Sequence, residues 1–382
     1  MRDKITPRQA VCMLLLFELG SSLVTGGSMK AEQDSWLTAL IGLAMSVPLL
    51  LLYARLHSLC PDGDLYDMAC QALGKPVGSA VTLAFSLYAF HLGGLVIRNF
   101  TEYIQVLSLP ETPQPVCAVC IAALAYFGIR SGLEVPARSA EFVTPIACAI
   151  VGILLALTAN KMDFSNLRPV LGHDPRLLLS DGYASLTFPF GESVLFLSVF
   201  CAVKEPSASC RKCYLWGVLL AGAILAVLIA GNIAVLGVPV ARALFFPSYE
   251  TVGMVDVGNF ISRIEVLVSG NFVIFGLMKV TVCLYVGCRG VSRVLGGKGF
   301  QAAAAIAAAG MVVFSQMVYS STMQMFTFLD LYKRYAPAFE IALPLVLLLG
   351  LRRRQSAPGA AQQPENVPKT EQIPPKTSET DR

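Results

Sequence analysis

Apolar residues run along this chain in long, nearly unbroken stretches separated by short polar connections. A helix needs about 20 largely apolar residues to cross a bilayer core. Ten such stretches are legible, at 9–29, 35–56, 77–106, 114–129, 138–159, 182–203, 213–237, 259–288, 301–320 and 335–351. The pattern predicts an all-α integral membrane protein with ten transmembrane helices in one domain over residues 1–351. Beyond Arg354 the pattern stops. The segment QSAPGAAQQPENVPKTEQIPPKTSETDR is rich in proline and has almost nothing to bury, so 352–382 reads as a disordered cytoplasmic tail.

Two stretches contain residues that do not suit a continuous helix in lipid. The sixth holds Pro189, Gly191 and Glu192 within SLTFPFGESVLF, and the first holds Glu18 and Gly20 within FELGSS. Proline removes a helical hydrogen bond, glycine loosens the backbone, and a carboxylate is costly in hydrocarbon. By helical rise both glutamates fall near the bilayer midplane. Ten spans divide into five and five, and an odd number per half makes the second half an inverted copy of the first. The first and sixth spans are then equivalent. Broken helices at that depth are tolerated only where the freed backbone lines a cavity or is buried in protein. Paired, discontinuous helices of inverted repeats with a ligand between them define one transporter architecture. Helix N-termini there meet an anionic group, and unwound carbonyls meet an ammonium. An amino acid zwitterion has both poles.

Composition narrows the class. Of 382 residues, 55% are hydrophobic and only 14% charged, with a mean hydropathy of +0.64. A soluble domain keeps about a quarter of its residues charged. A net charge of +4, scattered along the chain, excludes nucleic acid as the expected partner. Lys and Arg concentrate in alternate connections: Arg2, Lys4 and Arg8; Lys204, Arg211 and Lys212; Arg289, Arg293 and Lys298; Arg352, Arg353 and Arg354. The connection VLSLPETPQ has none. This bias places both termini in the cytoplasm. Most of the eleven cysteines lie in apolar runs, where Cys acts as a small hydrophobe. Cys210 and Cys213 form one C-x-x-C in what reads as a basic loop, with no second pair and no suitable histidine, so no metal or cofactor is expected. No nucleophile–base constellation or nucleotide loop points to an enzyme.

The motifs KITPRQ (4–9), RNFTEYIQVLSLPETP (98–113), FPFGE (188–192) and ISRIEVL (261–267) occur in this order. Together they resemble the spore germination permease family, the B subunits of germinant receptors. The resemblance implies a LeuT-like fold of the amino acid–polyamine–organocation superfamily. It also implies a nutrient-sensing role in the spore inner membrane beside A and C subunits, and favours sensing over transport. The alternative is a proton-coupled amino acid transporter.

The expected ligand-contacting residues are Glu18, Gly20, Ser21 and Ser22 on the first span, and Phe188, Pro189, Gly191 and Glu192 on the sixth. Side walls would come from Tyr88, His91 and Leu95 on the third span and Asn271 and Phe275 on the eighth, at helical spacing. Arg98 with Glu102 and Arg263 with Glu265 form charged pairs expected at the outer mouth, as a gate or as a structural lock. Lys279 is expected to snorkel to the cytoplasmic interface. Alternatively its ammonium stands between spans one and eight, where sodium-coupled relatives of this fold hold an ion.

Overall fold

The computed structural model describes residues 4–20, 22, 28–204, 206–254 and 264–355. Ser21, Arg263 and the tail beyond Gln355 lie outside the described residues. Those that are described form helices and turns, joined by one isolated backbone bridge between Ile5 and Val203.

The first helix, α1 (Pro7–Leu19), starts where the KITPRQ motif makes it start. Thr6 accepts from the Gln9 amide at 3.2 Å while the Gln9 side chain accepts from the Thr6 amide at 2.9 Å, and Pro7 fills the first helical position. The helix ends at Gly20. Then follow α2 (Ser35–Leu59), the short α3 (Leu65–Leu73), α4 (Lys75–Tyr103), α5 (Gln114–Arg130) and α6 (Glu134–Thr158). α7 (Pro175–Thr187) stops before Pro189, and the chain resumes as a 3₁₀ segment, Phe190–Ser198. The remaining helices are α8 (Pro206–Ala243), kinked at Gly237, α9 (Pro247–Gly253), α10 (Glu265–Val294) and α11 (Phe300–Met317). Last come α12 (Thr322–Pro337) and α13 (Leu343–Gln355), joined through a π-turn at Ala338–Ala342.

Seven helical stretches among the described residues are long and apolar enough to cross a membrane. The other three expected spans fall short for identifiable reasons. α1 ends at Gly20, the sixth span is interrupted at Phe188–Pro189, and α5 has 17 residues. Several boundaries move, among them the start of the seventh span, at Pro206 rather than 213. The sixth span begins at Pro175 rather than 182, and the last runs from Thr322 rather than 335, because Asp330, Lys333 and Arg334 lower its apolar average without breaking the helix. The Cys210–Cys213 pair sits in the first turns of α8, buried, rather than in a loop.

The surface is inside-out relative to a soluble fold. Leu87, Phe127, Phe142, Ile306 and Met317 are exposed, as lipid-facing side chains should be, whereas Glu18, Glu192, Lys279 and Glu340 are buried. α4 and α10 pack closely at the centre. The Phe100 and Phe272 rings stack at 3.9 Å between centroids, and a Cβ on Gly276 would come within 1.7 Å of the Phe100 ring. Gly276→Ala should therefore cost about 1–3 kcal/mol by overpacking, read as a lower unfolding temperature in detergent. Wild-type stability in that variant would show that the two helices slide apart freely.

Candidate functional site

The interruption at Phe188–Pro189 organises the interior. Phe188 is extended (φ −135°, ψ 110°), and α7 ends there, the Phe188 amide closing its last turn on the Ala184 carbonyl at 2.9 Å. A cavity of about 420 Å³ reaches this point. Its floor is Ser22, Ser35, Ser185, Thr187, Phe188 and Pro189, and its wall includes Leu225, Ile229, Phe245, Phe326 and Leu329. Lys30, Arg242, Asp330 and Lys333 stand at its rim. Asp330 Oδ1 meets Lys30 Nζ at 2.7 Å and Lys333 Nζ at 2.6 Å, and Arg242 pairs with Glu32 at 2.8 Å. The hydrogen bond from Lys30 to Asp330 raises the lysine above its ordinary range.

Phe188 separates the cavity from a second, sealed site. On its far side the Lys279 ammonium lies 5.2 Å from the Phe188 ring centroid and 4.9 Å from that of Phe17 on α1. It forms an ion pair with Glu192 Oε2, both side chains being fully buried. Gly20 makes room for this lysine, since a Cβ there would stand 2.6 Å from Lys279 Cδ. Lys279 does not snorkel: its aliphatic stem is held against α1, and a buried carboxylate offers the ammonium a stronger partner than a distant interface.

Around Glu192 the polar groups continue. Tyr332 donates to Glu192 Oε1 at 2.8 Å and lies 2.8 Å from the Tyr88 hydroxyl, which is 3.0 Å from Glu340 Oε1. Tyr53 donates to the Glu340 carbonyl oxygen at 2.7 Å. Gly191 is required beside this carboxyl group, because a Cβ there would meet Glu340 Oε2 at 2.4 Å. Glu18 is buried, and neither of its carboxyl oxygens has a hydrogen-bond partner among the described residues.

The structure thus gathers Gly20, Tyr88, Phe188, Gly191, Glu192 and Lys279 at one centre. Leu95 joins them at a void of about 20 Å³ that it shares with Phe188, Glu192 and Tyr332. Ser22 and Pro189 face the larger cavity instead. The remaining expected wall residues stand apart. His91 lines an apolar groove between α4, α10 and α11, with Tyr335 at 3.4 Å. Asn271 donates to the Ala147 carbonyl on α6, and Phe275 is packed in the core. Arg98 and Glu102 pair at 3.1 Å, and Glu102 also accepts from Gln114 at 2.8 Å and Thr322 at 2.6 Å. That arrangement ties α4 to the starts of α5 and α12, away from the break. Glu265 begins α10, and its proposed partner Arg263 is outside the described residues.

Glu340, Tyr332 and Tyr53 are absent from the residues expected of the site. Glu340 carried the same signal as Glu192: a lone carboxylate in an apolar stretch between two helix-breaking residues, Pro337 and Pro344.

Several known proteins resemble this chain. Spore germination protein KB of Bacillus subtilis (strain 168) is 29% identical over 295 residues, covering 76% of this chain and 79% of that protein. The putative spore germination protein YfkT of the same strain is 27% identical, covering 69% and 72%. Among solved structures, the nucleobase-cation-symport-1 family transporter Mhp1, closed with bromovinylhydantoin bound, superposes with a TM-score of 0.70 at 12% identity, covering 93% of this chain and 80% of that one. MhsT in complex with L-phenylalanine gives a TM-score of 0.63 at 12% identity, covering 91% and 89%. The helices therefore adopt the LeuT-like transporter fold. The spore germination protein family matches residues 4–323. A multi-pass, permease-like helical membrane protein with that match along most of its length belongs to the spore germination permease family.

Proposed function

We propose that this chain is the germinant-sensing membrane subunit of a spore germinant receptor and binds an amino-acid-like nutrient where α7 is interrupted. The observation that carries this reading is the 420 Å³ cavity ending on Thr187, Phe188 and Pro189. The C-terminal end of α7, with its partial negative charge, suits a ligand ammonium. Lys30, Lys333 and Arg242 at the rim suit a carboxylate, and the Leu225, Ile229 and Phe326 wall suits an apolar side chain. Ten spans in a five-plus-five inverted repeat, with α1 and the α7–3₁₀ unit as the equivalent broken members, complete the architecture. Both termini lie in the cytoplasm, and the membrane is the spore inner membrane. Lys279 supplies a built-in cation between spans one, six and eight. Ligand favours one of two conformations by its differential affinity, and A and C subunits receive the change.

Thermal unfolding of the purified chain across a panel of amino acids tests this. At about 100 times its Kd a true ligand contributes about 2.7 kcal/mol, a saturable upward shift. No shift with any member of the panel would overturn the reading. The second reading, a proton-coupled amino acid transporter, is favoured by the buried carboxyl groups next to the cavity. Concentrative uptake of labelled amino acid by vesicles containing this chain alone would select it.

A further inference from the structure

Three contacts of 3.0 Å or less join four oxygen atoms in a row: Glu340 Oε1 to Tyr88 at 3.0 Å, Tyr88 to Tyr332 at 2.8 Å, and Tyr332 to Glu192 Oε1 at 2.8 Å; a fourth, Tyr332 to Glu340 Oε1 at 3.5 Å, is too long to need a proton of its own. Each of the three needs one proton between its oxygens. The two tyrosines own two protons between them. The third must come from one of the carboxyl groups at the ends. Glu192 is the carboxylate of the ion pair with Lys279, so the third proton belongs to Glu340. We infer that Glu340 is a proton-binding site, and that Tyr88 and Tyr332 connect it to Glu192, so that moving the proton to Glu192 releases the Lys279 ion pair.

The transfer is balanced. Glu340 passes its proton to the Tyr88 oxygen, Tyr88 passes its own to Tyr332, and Tyr332 passes its own to Glu192. Both tyrosines end neutral, Glu340 becomes the carboxylate, and Glu192 becomes the acid. No oxidant, metal or net charge enters. The ammonium of Lys279 then faces a neutral acid, and the bond between α10 and the 3₁₀ segment weakens.

The surroundings give the proton few other places to go. The ionisable groups facing Glu340 are Glu18 on α1, Tyr53 on α2, Tyr88 on α4, Tyr183 on α7, Glu192 on the 3₁₀ segment, Lys279 on α10, and Tyr332 and Tyr335 on α12. Lys279 is the single cation among these described groups, and it can neutralise one carboxylate of three. Side chains that are fully buried cannot carry the remaining charge cheaply. The relay residues come from three separate stretches of the chain, α4, the 3₁₀ segment, and α12 with the π-turn that follows it. It operates whether the protein senses its ligand or carries it.

Infrared spectroscopy of the purified full chain in nanodiscs at neutral pH tests the inference. Wild type should show a carboxylic-acid C=O band that Glu340→Gln loses, the neutral amide otherwise preserving the fold. An acid band kept in full by folded Glu340→Gln protein would overturn the assignment. Tyr88→Phe gives a second reading that does not depend on that variant folding. Removing the 3.0 Å partner should shift the Glu340 acid band to higher frequency. A band unmoved by Tyr88→Phe would equally overturn it.

Discussion

Lys279→Met should lower the stability of the folded chain by about 3–5 kcal/mol, the usual cost of stranding one member of a buried ion pair. Glu192 would keep a single hydrogen bond, from Tyr332, and would face Glu340 with no ammonium between α10 and the 3₁₀ segment. The double variant Lys279→Met, Glu192→Gln should recover much of that loss. It leaves no unpaired charge, and a neutral pair of similar volume is often as stable as the ionic one. The methionine stem keeps its place beside Gly20, and the glutamine still accepts from Tyr332. Thermal unfolding in detergent of the two single variants and the double variant forms a closed cycle. Additive losses would mean that Lys279 and Glu192 do not hold each other, and the centre of the site would need another account.

At the opposite end from the cavity rim, Asp64 joins two separable interactions. It caps α3 by accepting from the Asp67 amide at 3.1 Å, and its other oxygen meets Arg289 Nε at 3.0 Å and Arg293 Nε at 3.2 Å on α10. Asp64 is buried, while the arginine side chains are 30% and 37% exposed. Asp64→Ala removes both the cap and the charge and should cost about 2–3 kcal/mol, with about 1 of that from the cap and the rest from charged hydrogen bonds. The Arg293 contact adds little to this because water screens it. Asp64→Asn keeps an acceptor for the cap and should cost about 1–2 kcal/mol. Equal losses from the two variants would show that the cap contributes nothing. Wild-type unfolding in both would show that the cluster is solvated and holds nothing together.

Much of the site's location was legible because its causes are local. Pro189 and Gly191 interrupt a helix by their own backbone chemistry, whatever surrounds them, and α7 duly ends at Thr187. Thr6, Pro7 and Gln9 announce the start of α1 in the same way. The side walls were not legible. Tyr88, His91 and Leu95 share helical spacing on α4, yet Tyr88 and Leu95 turn inward while His91 meets an apolar outer groove. In a membrane helix the outward face is as apolar as the inward one, so periodicity loses the contrast that reveals the inner face in water.

The sequence by itself determined that the chain is a bundle of membrane helices, that the sixth is interrupted at Phe188–Pro189, and that isolated charges lie at membrane depth. Those properties follow from the preference of each short segment for hydrocarbon or water and from the backbone limits of proline and glycine. Only the tertiary structure decided which of the buried charges meet. Lys279 turns to Glu192 rather than to the interface, and Glu340 joins the tyrosines of α4 and α12. Partner choice depends on how distant helices pack, and a buried group takes whichever counter-charge or hydroxyl that packing brings within reach.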